Sequence, residues 1–351
     1  HNENIAWGHT VNQPDLVDLF KLELNPSNPN QYKVDGEWLD LERSLAPLEI
    51  RLWGNFRWTV NREVLYSIYG PAMRVDDQVF AIRYAGIGEF RQIEQWYRMG
   101  RAQNLDEFKD AMRIHALAMF NTGYGDRDGN IFYVYNALLP ERADGHDWSG
   151  TVPGNTRDTL WKEYRPFDEL PTVENPKSGF IQNCNSDPFQ TTTGEDNPDE
   201  TAFSKNYGIE KWMTNRARRA VELYGGDDSI NHDEFFQYKY DKTYSEKSEL
   251  RRQVANFLDA LPASDELKKE LELLRQWNGE MAKDNRSAAL VLLTFRPRSN
   301  SSKRNTKHER TLDQLQKASE DLRKHFGRID VEWGKVNRLV RGDKNLPLGG
   351  G

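Results

Sequence analysis

Two side-chain amides, Asn183 and Asn185, follow a short apolar run near the middle of this 351-residue sequence. The run comes after turn-forming residues at 175–179, so the pattern predicts a turn and a strand over residues 175–186. An amide at a strand end is a fixed hydrogen-bond donor, well placed to stabilise an oxyanion that develops during acyl transfer. The same side chains could instead cap loop backbone, as asparagine often does. The residues alone leave both interpretations open.

No other segment carries a familiar catalytic pattern. The sequence has no Gly-x-Ser-x-Gly elbow, no His-Glu-x-x-His motif and no phosphate-binding loop. Its single cysteine, Cys184, excludes a disulfide within the chain, and no neighbouring histidine or second thiol supports a cysteine-protease or zinc site. His115 lies on an apolar helical stripe, where a histidine is more often a core residue than a catalyst.

Residues 126–130, Asp-Arg-Asp-Gly-Asn, superficially resemble a calcium-binding loop. The glycine stands at the fourth loop position rather than the sixth, and the twelfth position is Ala137 rather than glutamate. Asp-Gly between two β-prone runs is typical of a hairpin turn. We therefore predict a β-hairpin here.

The composition, with 37% hydrophobic and 29% charged residues, is that of a globular protein with a sizeable core. A net charge of -7 gives no general attraction to nucleic acid. The longest apolar run, residues 288–293, is far shorter than the roughly 18 residues that a membrane-spanning helix needs. Because the chain begins at His1 without an initiator methionine and stops in a turn-like stretch, we expect it to be truncated at both ends. Open sheet edges or uncovered apolar faces are expected there.

Hydrophobic periodicity divides the chain into three segments. Residues 1–85 are β-rich, residues 86–230 form a core with site loops, and residues 231–351 are mostly helical. A helix capped by Asn104 is predicted to run on to Met119. Further helices are predicted at 214–224, 245–261, 264–277 and 311–326, with ordered loops at 140–199 and a solvated basic loop at 296–310.

The order of several short motifs resembles the penicillin acylase family, which includes acyl-homoserine-lactone acylases. Asn-Pro-x-Ser-Gly-Phe-Ile-x-Asn-x-Asn at residues 175–185 is similar to the oxyanion-asparagine segment of that family. Other motifs match in family order over essentially the whole chain, at residues 5–10, 25–32, 126–142, 215–219 and 333–348. Each motif is weak alone, but their shared order is specific.

This resemblance implies an α+β fold, an incomplete four-layer αββα sandwich of the N-terminal-nucleophile hydrolases. Residues 1–351 would be part of a single catalytic unit, a fragment of the larger (β) chain of a self-cleaving precursor. The nucleophilic serine would lie upstream of His1, so it is not in this chain, and its own α-amino group would act as the base. That group has an unperturbed pKa near 7.7–8, which suits it to act as a base near neutral pH. The fragment alone is therefore expected to be inactive.

The implied reaction is hydrolysis of an N-acyl amine through a serine acyl-enzyme, releasing a carboxylic acid. The implied partners are an N-acyl amide small molecule and the smaller processed chain (the α subunit), in a periplasmic or secreted protein. A non-catalytic extracellular binding relative with the same fold is the alternative, which the sequence upstream of His1 would distinguish. The acyl group, whether a β-lactam side chain, a homoserine-lactone acyl chain or a lipopeptide tail, cannot be read from these residues.

Residue by residue, the resemblance assigns few roles. Asn185 matches the asparagine that completes the oxyanion hole. Arg219 matches an arginine that orients the site through charge-assisted hydrogen bonds, with Arg216 as a competing alignment. Asp196 falls where some members place a ligand of a structural calcium ion. No cofactor is expected to be required for the chemistry.

Overall fold

The computed structural model describes residues 1–260, 267–295 and 307–350. The chain forms two compact units, His1–Trp212 (unit 1) and Met213–Gly351 (unit 2). The boundary between them lies earlier than the change in sequence pattern at residue 230. In the described part of the chain, no helix is both long and apolar enough to span a bilayer.

Unit 1 is built mainly from strands. They form a four-stranded sheet (β1-β10-β11-β13), a six-stranded sheet (β12-β2-β9-β8-β7-β6) and a three-stranded sheet (β3-β4-β5). The elements in chain order are β1 (Ile5–Thr10), β2 (Val17–Leu22), β3 (Leu24–Asn25), β4 (Asn28–Val34), β5 (Glu37–Asp40), β6 (Glu42–Trp53), β7 (Phe56–Ser67), β8 (Gly70–Val75), β9 (Gln78–Tyr84), α1 (Gln92–Arg101), α2 (Leu105–Met112), β10 (Met119–Asp126), β11 (Ile131–Ala137), β12 (Thr151–Pro153) and β13 (Thr172–Glu174). Residues 1–85 contain the strands β1 to β9.

The two faces of the four-stranded sheet are covered differently. On one face Trp7 and Tyr124 pack against Phe108 of α2, with ring centroids 6.2 and 4.7 Å from it. On the other face the register sets Gly8 opposite Gly123. Without side chains there, a loop can approach the sheet backbone closely.

Helix α2 starts as predicted but is shorter. The Asn104 side chain accepts the backbone N–H of Glu107, which confirms the predicted cap. The helix ends at Met112, so its predicted continuation to Met119 is wrong, and Met119 instead begins β10.

Helix α2 does not continue past Met112, because backbone N–H groups beyond it bond to an acceptor outside the helix. The side-chain oxygen of Gln95, on α1, accepts the backbone N–H groups of Ala116 and Leu117. Between these groups and the helix end, His115 takes a left-handed conformation with φ of 51°. Burial lowers the pKa of His115, and its Nε2 bonds to the Ala137 carbonyl, in agreement with a core role.

The hairpin predicted at residues 126–130 is confirmed, because β10 and β11 pair antiparallel around it. The Asp126 carboxylate accepts the backbone N–H groups of Asp128 and Asn130, at 3.0 and 2.9 Å. The carboxylate that suggested calcium therefore stabilises the turn.

An uncovered apolar face occurs on the ribbon formed by β6 and β7. Only residues 65–67 of β7 pair with β8, so within the described residues most of the ribbon has no further strand beside it. The register sets Ile50 opposite Trp58, and both side chains are exposed. The stacked rings of Trp53 and Phe56 lie at the tip of the ribbon. The sequence predicted such a face at the ends of the chain rather than here.

Residues 140–199 contain little regular structure. Their aromatic side chains Trp148, Trp161 and Phe167 are buried. Short 3-10 turns and the strands β12 and β13 connect the buried positions.

Unit 2 is mostly helical. Its core is formed by apolar residues of the helices from 249 onwards. Its elements are α3 (Asn215–Tyr224), α4 (His232–Lys239), α5 (Glu249–Ala260), α6 (Lys268–Gln276), α7 (Ala288–Phe295), α8 (Lys307–Phe326), α9 (Trp333–Val336), β14 (Arg338–Arg341) and β15 (Lys344–Pro347).

Local signals located some helix ends in unit 2 better than others. Thr214 caps α3 and Gly225 ends it, as predicted. Helix α5 begins at Glu249 rather than Ser245, and the hydroxyl of Ser248, just before it, accepts the backbone N–H of Arg251. The predicted start at residue 264 and the basic segment up to residue 306 lie outside the described residues.

Candidate functional site

The segment at residues 175–186 turns as predicted but forms no strand. Asn175 has a left-handed φ of 45°, and its side-chain oxygen accepts the backbone N–H of Ile131 in the neighbouring strand. Residues 180–183 then run outside any sheet, so the predicted strand is wrong. Ile181 lies over Gly123, where a Cβ would be 3.8 Å from its Cδ1. The segment therefore packs as a loop over the sheet face that carries Gly8 and Gly123.

Asn183 is the most connected side chain of this loop. Its Oδ1 accepts hydrogen bonds from Thr10 Oγ1 at 2.5 Å, Asn121 Nδ2 at 3.1 Å and the Asn185 backbone N–H at 2.9 Å. Its Nδ2 donates to the Ser186 carbonyl at 3.1 Å. These bonds tie the loop to the ends of β1 and β10, so Asn183 fixes the position of Asn185.

Asn185 is held in a defined orientation at the surface of this network. Its φ is 60°, in the left-handed region that asparagine adopts more readily than most residues. Its Nδ2 donates to the Val11 carbonyl at 2.9 Å, and the residue is half-buried. An amide nitrogen has two N–H groups, and the bond to Val11 fixes the direction of both.

The groups beneath the loop are amides and tyrosine hydroxyls, with the Glu210 carboxylate beside them. The Tyr133 hydroxyl donates to Asn121 Oδ1 at 2.6 Å, and burial raises the pKa of Tyr133 well above its usual value. Burial and the nearby Glu210 carboxylate likewise raise the pKa of Tyr135, whose hydroxyl bonds to that carboxylate. Sequence reasoning missed Asn121 and Tyr133, because they lie on other strands.

His9 lies on the opposite face of β1 and is neutral. Trp96 Nε1 donates to His9 Nε2 at 3.0 Å, so Nε2 is an acceptor and the ring proton is on Nδ1, facing Thr122 Oγ1 at 3.0 Å. Burial lowers the pKa of His9. With both nitrogens engaged, this imidazole is not available as a general base.

The two arginines proposed from the sequence lie on α3, in unit 2. Arg219 donates through Nε and Nη2 to the Asp241 carboxylate, at 2.9 and 3.2 Å, and through Nη1 to Glu222 at 3.4 Å. Arg216 is exposed on the same helix. Asn185 lies in unit 1, so the role of Arg219 in orienting its site stays a prediction.

Asp196 belongs to the loop that follows Asn185. Its Oδ2 accepts the backbone N–H of Lys177 at 2.8 Å. Within residues 1–260, 267–295 and 307–350, no group of three His, Cys, Asp or Glu side chains could hold a metal ion. The calcium site stays a prediction.

The chain has the fold of an N-terminal-nucleophile hydrolase. It superposes on the thermostable penicillin G acylase from Alcaligenes faecalis with a TM-score of 0.66 and 21% identity, over 94% of this chain and 69% of that one. The predicted fold class is thereby confirmed. A sequence model of the penicillin amidase family matches residues 1–351, and this chain belongs to that family.

Two characterised relatives share part of the sequence. Penicillin G acylase of Escherichia coli is 32% identical over 192 residues, which are 54% of this chain and 22% of that protein. Acyl-homoserine lactone acylase PvdQ of Pseudomonas fluorescens is 28% identical over 147 residues, 40% of this chain and 19% of that protein. The matches span about a fifth of the length of these relatives.

Proposed function

We propose that this chain is part of an amide hydrolase that releases a carboxylic acid from an N-acyl amine, with Asn185 as an oxyanion-hole donor. The observation that carries the proposal is the fixed amide of Asn185. Its backbone is anchored by Asn183 and its side chain by Val11. A donor that is already oriented needs no reorganisation when charge develops on the substrate oxygen.

The proposed reaction has two stages. A serine hydroxyl outside this chain attacks the amide carbonyl, and the serine α-amino group takes the hydroxyl proton. The C–N bond breaks and the amine leaves with that proton. Water, deprotonated by the same amino group, then cleaves the ester and releases the acid. Asn185 donates to the oxyanion formed at each stage.

The groups that bond to Asn183 beneath the loop favour this role. They are amides and hydroxyls, and Tyr133 keeps its proton. Fixed neutral dipoles hold Asn185 in place to donate to a developing negative charge.

Further parts of the proposal rest on family membership. A smaller processed chain would complete the substrate site, the protein would be periplasmic or secreted, and Asp196 would contribute one carboxylate oxygen to a calcium ion. We also propose that Arg219, or alternatively Arg216, orients the site. The 351-residue chain by itself should not hydrolyse acyl amides, because the proposed nucleophile lies outside it.

Steady-state kinetics of Asn185→Ala in the complete protein test the proposal. We expect kcat to fall about 10²–10³-fold with little change in KM, because an oxyanion donor acts mainly in the transition state. The melting temperature should fall only slightly.

Asn197→Ala is the matched control. Asn197 is also a half-buried loop asparagine, but its amide bonds only to loop backbone, at Thr192 and Gly194. Its loss should lower Tm and leave kcat nearly unchanged. If Asn185→Ala behaves like this control, Asn185 is structural. A complete protein without any acylase activity would support the binding relative instead.

A further inference from the structure

A cavity of about 720 Å³ lies within unit 2, among α3, α5, α7 and α9. Its size falls in the range of small-molecule sites. The described lining residues belong to Met213–Gly351, whereas the Asn185 network belongs to unit 1. Much of its wall is apolar and includes Leu250, Leu292, Leu293 and Trp333.

One charged group in the wall has no opposite charge beside it. Arg218 Nη1 donates to the Lys247 carbonyl at 3.1 Å, and its Nε donates to the Met213 carbonyl at 3.4 Å. In the described ranges no carboxylate oxygen lies within 4.0 Å of its nitrogens. The neighbouring Arg219, in contrast, is paired with two carboxylates.

Among the described lining residues one carboxylate occurs, and it is already paired. Glu249 forms an ion pair with Arg252 and accepts Gln253 Nε2 at 2.8 Å. Among the described lining residues, the charged group that lacks a counter-charge is therefore the Arg218 guanidinium. A guanidinium held in place by backbone carbonyls is well suited to bind a carboxylate.

We propose that this cavity binds an amphipathic monocarboxylate, with the carboxylate on Arg218 and the apolar body against the leucine-rich wall. Burial of the apolar body supplies most of the affinity, and the arginine selects the anion over a neutral analogue. The inference does not depend on the acylase proposal, because no residue of unit 1 takes part.

Isothermal titration calorimetry of the 351-residue chain with sodium decanoate tests this site. We expect saturable binding, and weaker or undetectable binding of the neutral decanamide. Arg218→Gln should raise the Kd for decanoate by about tenfold or more, the loss expected for a charge-assisted hydrogen bond. Val336→Trp, which fills part of the cavity, should also weaken binding.

Two controls separate this site from other effects. Arg328→Gln removes an exposed arginine of unit 2 that pairs with Asp330 away from the cavity, and should leave the Kd unchanged. Asn197→Ala should also leave it unchanged, because Asn197 is not among the residues that line the cavity. Melting curves would confirm that each variant is folded. Absence of saturable decanoate binding, or equal affinity in folded Arg218→Gln, would overturn the proposal.

Discussion

Two arginine–aspartate pairs of this protein have the same chemistry but different burial. In unit 1, Arg142 Nε lies 2.9 Å from Asp18 Oδ2, and the side chains are 1% and 0% exposed. In unit 2, Arg219 Nε lies 2.9 Å from Asp241 Oδ1, and the side chains are 27% and 20% exposed. Since the distances are equal, the surroundings account for any difference in behaviour.

The pKa values of the two aspartates shift in opposite directions because their surroundings differ. Burial raises the pKa of Asp18 and outweighs the opposing hydrogen bonds from Arg142 and Trp161. Burial also opposes ionisation of Asp241, but the hydrogen bonds from Arg219 and Thr243 win and lower its pKa. A deeply buried ion pair thus gains little net stability from its charges yet is costly to break, whereas a partly hydrated pair is a modest stabiliser.

The largest expected effect is from Arg142→Met. It leaves the Asp18 carboxylate buried without its cation, and we expect a loss of about 3–5 kcal/mol in the free energy of unfolding. Urea unfolding of the purified chain would measure it. The double variant Asp18→Asn/Arg142→Met removes both charges and should be more stable than Arg142→Met alone. Equal destabilisation would mean that packing, rather than the unpaired charge, causes the loss.

Asn183→Ala tests a neutral network of intermediate burial. It leaves Thr10, Asn121 and the Asn185 backbone N–H without their shared acceptor, so we expect a loss of about 2 kcal/mol. Asn183→Asp keeps an acceptor oxygen and should lose less. In the complete protein Asn183→Ala should also lower kcat, because Asn185 is no longer positioned. Unchanged kcat would show that Asn185 holds its position without Asn183.

Arg219→Gln should lower the free energy of unfolding by only about 1 kcal/mol, because water screens the partly exposed pair. Chemical denaturation would measure this loss. The same variant in the complete protein tests the site role. If Arg219 orients the site, Arg219→Gln lowers kcat by more than the decrease in the amount of folded protein explains. In that case Arg216→Gln keeps a normal kcat. The reverse result would assign the role to Arg216.

The smallest expected effect is on the pH dependence of stability. The folded pKa of Asp241 is below its usual 3.8, so its contribution is present above that pH and is lost as the pH falls through the folded pKa. The folded pKa of Asp18 is above 3.8, so its contribution grows as the pH falls through that raised pKa towards 3.8.

Unfolding free energies between pH 3 and pH 6 would separate the two aspartates. Asp241→Asn should make the acid loss of stability less steep below about pH 4. Asp18→Asn should make it steeper above that pH. Slope changes of the same sign would contradict the opposite pKa shifts.

Local sequence determined much of the framework. Asn104 and Thr214 mark the helix starts that the structure has, since a cap needs only a side chain three residues from its N–H partner. The Asp-Gly hairpin and the turn at Asn175 also follow from residues within a few positions of each other. The order of such motifs was sufficient to identify the family.

Tertiary structure alone decided how the candidate site is supported. Asn183 bonds to Thr10 across 173 positions and to Asn121 across 62. Helix α2 stops at Met112 because Gln95, on another helix, supplies acceptors to the chain beyond it. Hydrophobic periodicity predicts which residues are buried. It does not predict which polar group, distant in sequence, accepts a hydrogen bond from a buried donor. That pairing is settled only when the chain packs, because the great majority of buried backbone donors are paired with an acceptor in the folded protein.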